Sequence, residues 1–247
     1  MWKELFPVIN LCPSPLTARL RALRLYFCLP HRLLAQATVT QILDLPPGII
    51  PPDYLEILNI ESLETMEDRI IRIQTGPILT TDALRPLFQY RRMIELHLDL
   101  PCTIRLDLEF LHELGTVMGG TLRHFMVFGM ITSQRMDCTL NVGDPPTIAG
   151  VILPQLETLG LDVLWDIPSV AERDSLAVSS LLRTLYVGTM NILPPRSTVA
   201  SFLKEHFPGL RYLHQRYNDV EWGCIMRKND YIGHYFRRGS KYCRRDW

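Results

Sequence analysis

The sequence lacks the features that identify most enzymes and membrane proteins. No run of about 18 uncharged apolar residues occurs, so we expect no membrane-spanning helix. HExxH, GxSxG and paired Cys/His motifs are also missing, which argues against a zinc protease, a serine hydrolase and a zinc finger. We therefore expect a protein that is not an enzyme, with no catalytic residue, no metal and no cofactor.

Net charge and cysteine pairing are lacking as well. The chain has 26 Lys and Arg against 26 Asp and Glu, so no overall field favours nucleic acid or a membrane surface. Six cysteines are present without a CxxC pair, and no Asn-x-Ser/Thr acceptor occurs. Prolines and Glu4 interrupt the apolar N-terminal stretch, which argues against a signal peptide. These features favour a reducing setting, either cytoplasmic or nuclear.

What the sequence does contain is a recurring pattern, here called the leucine frame. It consists of an apolar residue, two free positions, an apolar residue, one free position and an apolar residue. The clearest copy is LETLGL, which begins at Leu156, and the others begin at Leu20, Leu55, Met93, Leu122, Leu182 and Leu210. Two or three copies could arise by chance in a leucine-rich chain. Seven copies, 26 to 38 residues apart, favour an array of stacked units.

The frame predicts a strand with one buried face. Side chains alternate along a strand, so the fourth and sixth positions of a frame point one way and the third and fifth point the other. A single short strand cannot bury its apolar side alone, so the strands must stack into one sheet. We expect a shared dry interior formed by Leu96, Leu98, Phe125, Leu159, Leu161, Leu185 and Val187.

Helices are predicted between the frames. Thr80 or Thr81 is expected to cap a helix that runs to Gln89. A second helix follows Asp107 and ends at Gly119-Gly120, with an apolar stripe of Leu108, Leu111 and Leu114. Further helices are expected at 31–43, after Ser169 and after a cap at Ser197. Residues 69–73 alternate as a strand would, and residues 129–154, with their Gly and Pro residues, suggest an exposed loop or an insertion.

The frames resemble leucine-rich repeats. The sequence pattern within and between them is similar to that of the C-terminal half of fungal, mushroom-type F-box/leucine-rich-repeat proteins. The segments that carry this resemblance are ILTTDALRPLFQYRRMIELHLDLPCTIRLDLEFLHELGTVMGGTLRHFMV, LPQLETLGLDV and PPRSTVASFLKEHFPGLRYLHQRY. The resemblance implies an α/β fold, namely an irregular leucine-rich-repeat solenoid with a parallel strand face and helices on the opposite face. The resemblance itself covers about residues 75–217. The repeat domain is expected to span residues 1–217, followed by a basic aromatic tail at 218–247.

The sequence departs from that family in three respects. Its repeat lengths vary by up to 12 residues. The consensus asparagine of the repeat is replaced by Leu164 after the frame at Leu156 and by Met130 after the frame at Leu122, so the units should be irregular. An F-box is not seen, because Pro51-Pro52 breaks the helix in the segment closest to one. A Skp1-type adaptor is therefore expected as a partner only if an F-box lies upstream.

The solvent-exposed face of the strands, here called the outer face, is the predicted binding surface. By resemblance, this surface would act as the substrate-recruiting part of a ubiquitin-ligase receptor and bind an unknown protein. Arg24 and Asn59 are expected to be exposed on this face. The predicted partner-binding residues are Glu95, His97, His124, Met126, Thr158, Thr184, Tyr186, Tyr212 and His214. Its three histidines could alternatively form a metal or polar-ligand patch, although solvated surface residues are the simpler interpretation.

The tail suggests an alternative function. Residues 221–247 contain seven Lys and Arg against three Asp and Glu, interleaved with aromatic residues. A segment of this composition could bind nucleic acid or an anionic surface through its positive charges and through stacking of its aromatic rings. A loosely docked terminus is the competing interpretation.

Overall fold

The computed structural model describes residues 20–27, 40, 43–44, 50–62, 78–100, 102–129, 139–164, 167–187, 196–215, 220–227 and 230–237. The helix expected at 31–43 falls largely outside these residues, and the strand expected at 69–73 falls wholly outside them. Across the described helices, none has the length and apolar character that crossing a bilayer requires.

Each of the seven leucine frames forms one strand, beginning near the second free position of the frame. Their described bounds are Ala22–Phe27 (β1), Ile57–Ser62 (β2), Glu95–Asp99 (β4), His124–Phe128 (β6), Thr158–Leu161 (β7), Thr184–Val187 (β8) and Tyr212–Gln215 (β9). These strands form one parallel sheet in the order in which they occur along the chain. The expectation of an α/β fold with a large parallel sheet is confirmed.

Two smaller sheets accompany this one in the described residues. Ile78–Leu79 (β3) pairs in parallel with Thr103–Ile104 (β5). Val220–Arg227 (β10) pairs with Asp230–Arg237 (β11) in an antiparallel hairpin, so this part of the tail has regular backbone pairing that the sequence analysis did not predict.

A repeated backbone contact holds consecutive units of the large sheet together. In each unit, the carbonyl of the second frame residue accepts two N–H groups from the next unit. The carbonyl of Arg123, for example, accepts from the amides of Glu157 at 2.8 Å and Thr158 at 3.0 Å. The same contact recurs at every described step, at the carbonyls of Arg21, Glu56, Ile94, Arg123, Glu157 and Arg183. These shared carbonyls fix the register at the start of each strand.

The inner face of the sheet is apolar, as the frame predicts. The seven residues expected in one dry interior are all at most 3 % exposed and belong to a single core cluster. Partners on neighbouring strands continue each row, as where Leu96 lies beside Phe125 and Phe125 beside Leu159. Burial of these aliphatic and aromatic side chains is therefore shared between strands rather than confined to one unit.

Helices cover this inner face in the middle of the chain. A 3-10 helix spans Thr81–Gln89, and helix α1 spans Leu108–Met118. A small apolar cavity, lined by Leu84, Leu87, Leu96, Leu98, Phe110, Leu114, Phe125 and Val127, lies between these helices and the sheet. Arg85 also pairs with Glu113 at 2.7 Å, which joins the two helices at the surface.

Some details of the predicted helices are wrong. Asp107 caps α1 as expected, since its carboxylate accepts from the amide of Phe110 at 2.7 Å. Leu108, however, is exposed, and the buried stripe consists of Phe110, Leu111, Leu114 and Met118. Thr80 precedes the 3-10 helix without a side-chain cap. The last described helix, α4, spans Arg196–His206, so Ser197 lies inside it and does not precede it.

Residues 139–154 are packed, contrary to the expectation of an exposed loop, and residues 130–138 of the same segment lie outside the described residues. Helix α2 spans Asp144–Thr147, and a π-helical turn spans Ile148–Ile152. Pro145 and Pro146 occupy the first turn of α2, where proline costs no hydrogen bond. This segment lies against α1 so closely that a Cβ at Gly115 would be 2.6 Å from the carbonyl oxygen of Ile152.

A short helix, α3, spans Val170–Arg173 between α2 and α4. The hydroxyl and the amide of Ser169 both donate to the carboxylate of Glu172 at 2.7 Å, and the bond from the amide is the half of a capping box in which the acid accepts. A cap made by the oxygen of Ser169 itself stays a prediction. These two hydrogen bonds lower the pKa of Glu172.

Truncating a side chain should destabilise the protein more on the inner face of the sheet than at the surface. Leu159→Ala removes a fully buried side chain, and we expect a loss of about 2–5 kcal/mol in the free energy of unfolding. Val151→Ala, at a side chain that is 61 % exposed, should change it by less than about 0.5 kcal/mol. Urea denaturation measures both, and equal losses would contradict a shared interior around Leu159.

Candidate functional site

The outer face of the large sheet is organised in rows that cross the strands, because register partners lie side by side. The first row contains Glu95, His124, Thr158, Thr184 and Tyr212. The second row contains Arg24, Asn59, His97, Met126, Gly160, Tyr186 and His214. The third row contains Tyr26, Glu61, Asp99 and Phe128. All nine predicted partner-binding residues fall in the first two rows.

Three aromatic rings form a stack at one end of the outer face, on strands β8 and β9. The rings of Tyr186 and His214 lie 4.5 Å apart at 15°, and those of Tyr212 and His214 lie 6.3 Å apart at 20°. Tyr212 is 47 % exposed, whereas the other two are partly buried. We call Tyr186, Tyr212 and His214 the aromatic stack. Such a stack offers a wide, rigid surface to a partner.

Two residues expected to be exposed on the outer face are buried instead. Thr158 is 5 % exposed, and its hydroxyl lies 3.0 Å from Nδ1 of His124 on the neighbouring strand. Asn59 is 7 % exposed and donates through Nδ2 to Glu61. Both are short polar side chains that bond to a longer one nearby, Thr158 to His124 on the next strand and Asn59 to Glu61 on its own strand. Neither can therefore present much of its own surface to a partner.

Phe128 fills a hollow in the outer face that the sequence analysis missed. A Cβ built on Gly160 would lie 2.6 Å from Cζ of Phe128 and 2.9 Å from Cγ of Met126. The missing side chain at Gly160 thus leaves room for the Phe128 ring, which is only 3 % exposed. A signal was available, since Phe128 follows Val127 and alternation places it on the outer face.

An acidic cluster lies at the other end of the outer face. Glu61 Oε1 lies 3.2 Å from His97 Nδ1 and accepts from Asn59 Nδ2 at 3.3 Å. Asp99 is the register partner of Glu61. The ring of His97 also meets the ring of Phe128 edge to face, at 6.5 Å. We call Asn59, Glu61, His97 and Asp99 the acidic cluster.

Asp162 is a buried acid just beyond the end of β7. Its Oδ2 accepts from the amide of Gly129 at 3.1 Å, and it lines a small cavity with Leu106, Thr139 and Leu140. Burial raises the pKa of Asp162 to about 7, against the opposing effect of the Gly129 hydrogen bond. The residue as a whole is partly exposed, but carboxyl atom Oδ1 is inaccessible, which explains why desolvation dominates.

The three histidines of the outer face do not converge. His97 and His124 are on adjacent strands but in different rows, and His214 is at the far end of the second row. Within the part of the chain that the structure describes, no group of three or more His, Cys, Asp or Glu side chains could hold a metal ion.

Comparison with known proteins yields no relative. No family model, no curated protein and no solved structure matches the chain. The resemblance to F-box/leucine-rich-repeat proteins therefore stays a prediction from sequence texture.

Adding a methyl group at Gly160 should force Phe128 out of its hollow. We expect Gly160→Ala to lower the free energy of unfolding by about 1–3 kcal/mol, as overpacking does. Gly120→Ala is the matched control, because a Cβ there would meet no described atom within 4 Å. Chemical denaturation compares the two variants, and equal stability would mean that Phe128 yields without cost.

Asp162 should make stability depend on pH. Its pKa rises from 3.8 in the unfolded chain to about 7 in the folded protein, so the unfolded chain loses its proton first as pH rises. The folded state should therefore lose up to ~4 kcal/mol relative to an uncharged variant between about pH 4 and pH 7. The stabilising contribution of the protonated group is complete below the unfolded pKa.

Asp162→Asn provides that uncharged reference. Urea denaturation of both proteins from pH 4 to pH 8 gives the difference in their free energies of unfolding. The contributions of the other titrating groups cancel in this difference. The variant should gain stability over wild type as pH rises, and a difference that stays constant across this range would contradict the raised pKa.

Proposed function

We propose that this chain is a non-enzymatic protein-interaction module, built as an irregular leucine-rich-repeat solenoid, whose outer sheet face binds a partner protein. Support for the architecture comes from one strand per leucine frame, strand order that follows chain order, and the repeated carbonyl contact between units. Units that each contact their neighbours in this way are typical of repeat proteins, which present extended binding surfaces.

The aromatic stack is the observation that carries the binding proposal. Tyrosine is enriched at protein interfaces because it combines a large apolar ring with a polar hydroxyl. The rings of Tyr186 and Tyr212 each lie nearly parallel to the ring of His214, and such contacts reduce the side-chain entropy that is lost on binding. Thr184, the register neighbour of Tyr212, adds a hydroxyl beside the rings.

The family resemblance extends this proposal to the substrate-recruiting region of an F-box ubiquitin-ligase receptor. That extension requires an F-box, which the present sequence does not show. A pull-down with a Skp1-type adaptor tests it separately: recovery of the adaptor would support the ligase link, and failure would remove that link without affecting the binding face.

The alternative, that the basic tail binds nucleic acid or an anionic surface, stays a prediction. It rests on the charge of residues 221–247 and on their aromatic content. Removing residues 221–247 and measuring salt-dependent binding to RNA or to anionic vesicles would test it, because counterion release makes such binding fall steeply with salt.

Removing the two tyrosines of the aromatic stack should weaken partner binding. Tyr186→Ala combined with Tyr212→Ala should weaken the binding of a partner protein captured from the source organism at least about tenfold, as truncation of interface hot spots does. Tyr54→Ala combined with Val151→Ala is the control, since both side chains are exposed and neither residue belongs to the three rows of the outer face. Dissociation constants with the purified partner measure the effect. Equal weakening by both variants, or by neither, would contradict the proposal.

A further inference from the structure

A row of charged side chains crosses the sheet where its strands begin, one residue before the first row of the outer face. It consists of the second residue of each frame, whose carbonyl is shared between consecutive units. Ile94 is the one uncharged residue at this position in the seven described frames. We call the other six the charge row, and in strand order they are Arg21, Glu56, Arg123, Glu157, Arg183 and Arg211.

Acids and bases pair along the earlier part of the charge row. Oε1 of Glu56 lies 3.8 Å from Nη1 of Arg21 and 3.5 Å from Nη2 of Arg92. Oε1 of Glu157 accepts from Nη1 of Arg123 at 2.9 Å. Each acid thus lies next to the arginine of the preceding charged position. These contacts show that side chains of this row reach one another between neighbouring units.

The charge row ends in two arginines that have no acid of their own. The amide of Arg211 donates to the carbonyl of Arg183 at 2.8 Å, so the two residues are neighbours at the starts of β8 and β9. Arg183 donates through Nη1 to the carbonyl oxygen of Gly209 at 3.0 Å, which is a neutral acceptor. Arg211 is exposed, and no carboxylate of the described residues forms an ion pair with either guanidinium. Neighbouring like charges are unfavourable, so this end of the row favours an anion.

The aromatic stack adjoins this pair of arginines. Tyr212 follows Arg211 in the chain and is 47 % exposed. Consecutive Cα atoms are about 3.8 Å apart, so a ligand segment that lies on the Tyr212 ring passes close to the backbone of Arg211. A short stretch of a partner can therefore contact an aromatic ring and a guanidinium together.

The charge of the surrounding surface favours a single carboxylate over a polyanion. A guanidinium matches a carboxylate well, because its planar N–H groups can donate to both oxygens. Single-stranded nucleic acid instead needs a positively charged groove that follows its backbone. The rows beside the arginines contain Glu61, Glu95 and Asp99, whose charges oppose a polyanion that crosses this face.

We propose that Arg183 and Arg211 bind an aspartate or glutamate side chain of the partner protein. This inference rests on the proposed function, since it names the chemistry of the segment that lies on the outer face. The partner's carboxylate continues the charge row, in the role that Glu56 and Glu157 have in earlier units. Next to it in the partner's sequence is an apolar or aromatic side chain, which lies on Tyr212.

The carboxylate site can be tested on the full chain without knowing the partner. The probe is N-acetyl-glutamyl-phenylalanine amide, and its uncharged match is N-acetyl-glutaminyl-phenylalanine amide. Binding is followed by the ring resonances of Tyr212, assigned by their disappearance in Tyr212→Leu. We expect saturable shifts with the glutamyl probe and about tenfold weaker binding of the glutaminyl probe, as for loss of one charge-assisted hydrogen bond.

Variants of two exposed arginines locate the site. Arg211→Gln should weaken binding of the glutamyl probe about tenfold and leave the glutaminyl probe almost unchanged. Arg24→Gln removes the same charge from β1, six strand spacings from β9. At ~4.8 Å per spacing this is about 29 Å, beyond the screening length of about 10 Å at 0.1 M salt, so the affinity should change less than about twofold.

A charge reversal provides a second, independent variant. Arg211→Glu should prefer N-acetyl-lysyl-phenylalanine amide to the glutamyl probe, the reverse of the wild-type order. Circular dichroism checks the fold of all three variants. Equal binding of the glutamyl and glutaminyl probes would overturn the inference, as would equal effects of Arg211→Gln and Arg24→Gln, or an unchanged order in Arg211→Glu.

An oligothymidylate of six nucleotides tests the competing ligand class. It should bind no more tightly than the glutamyl probe, and tighter binding that Arg211→Gln removes would overturn the assignment to a protein carboxylate. The inference alone fails if the tyrosine variants lose the captured partner while Arg211→Gln binds neither the glutamyl probe nor the partner more weakly than wild type does. A glutamate-selective site at Arg211, with partner binding unchanged in the tyrosine variants, would contradict the proposed function.

Discussion

The pairing of each strand with the strand of the preceding unit is the constraint on which the rest of the structure depends. The shared carbonyl at the second frame position sets where each strand starts, and therefore which residues become neighbours. Once that register is set, Leu159 must lie between Phe125 and Leu185 on the inner face. A shift by one residue would move every leucine to the outer face. The interior and the outer rows are thus two results of one backbone arrangement.

Much of the sheet could be predicted from the sequence because the governing rule is local. Alternation within a frame requires knowledge of only six residues, and it placed all seven predicted interior side chains correctly. The exposure of Thr158 could not be obtained in this way. It depends on His124, which is 34 residues earlier and reaches Thr158 only after the strands pair. Local periodicity carries no information about such a partner.

The packed segment at 139–154 shows a different limit. Gly and Pro in sequence usually mark a loop, but Pro145 and Pro146 begin a helix, a position that proline tolerates. The candidate site could likewise be predicted only in part. Its rows followed from the frames, whereas the Phe128 hollow and the raised pKa of Asp162 depend on distances between units. Composition gave no sign of either.

Strand order that follows chain order has a consequence for how such a chain can change its length. Each strand of the large sheet bonds to the strands of the frames before and after it, so distant frames share no backbone pairing. Duplication or loss of one frame with its connecting segment would leave the remaining pairings as they are. The outer face would simply gain or lose one column of side chains. Recognition of a longer or shorter target could therefore evolve by adding or removing whole columns, without redesign of the interior.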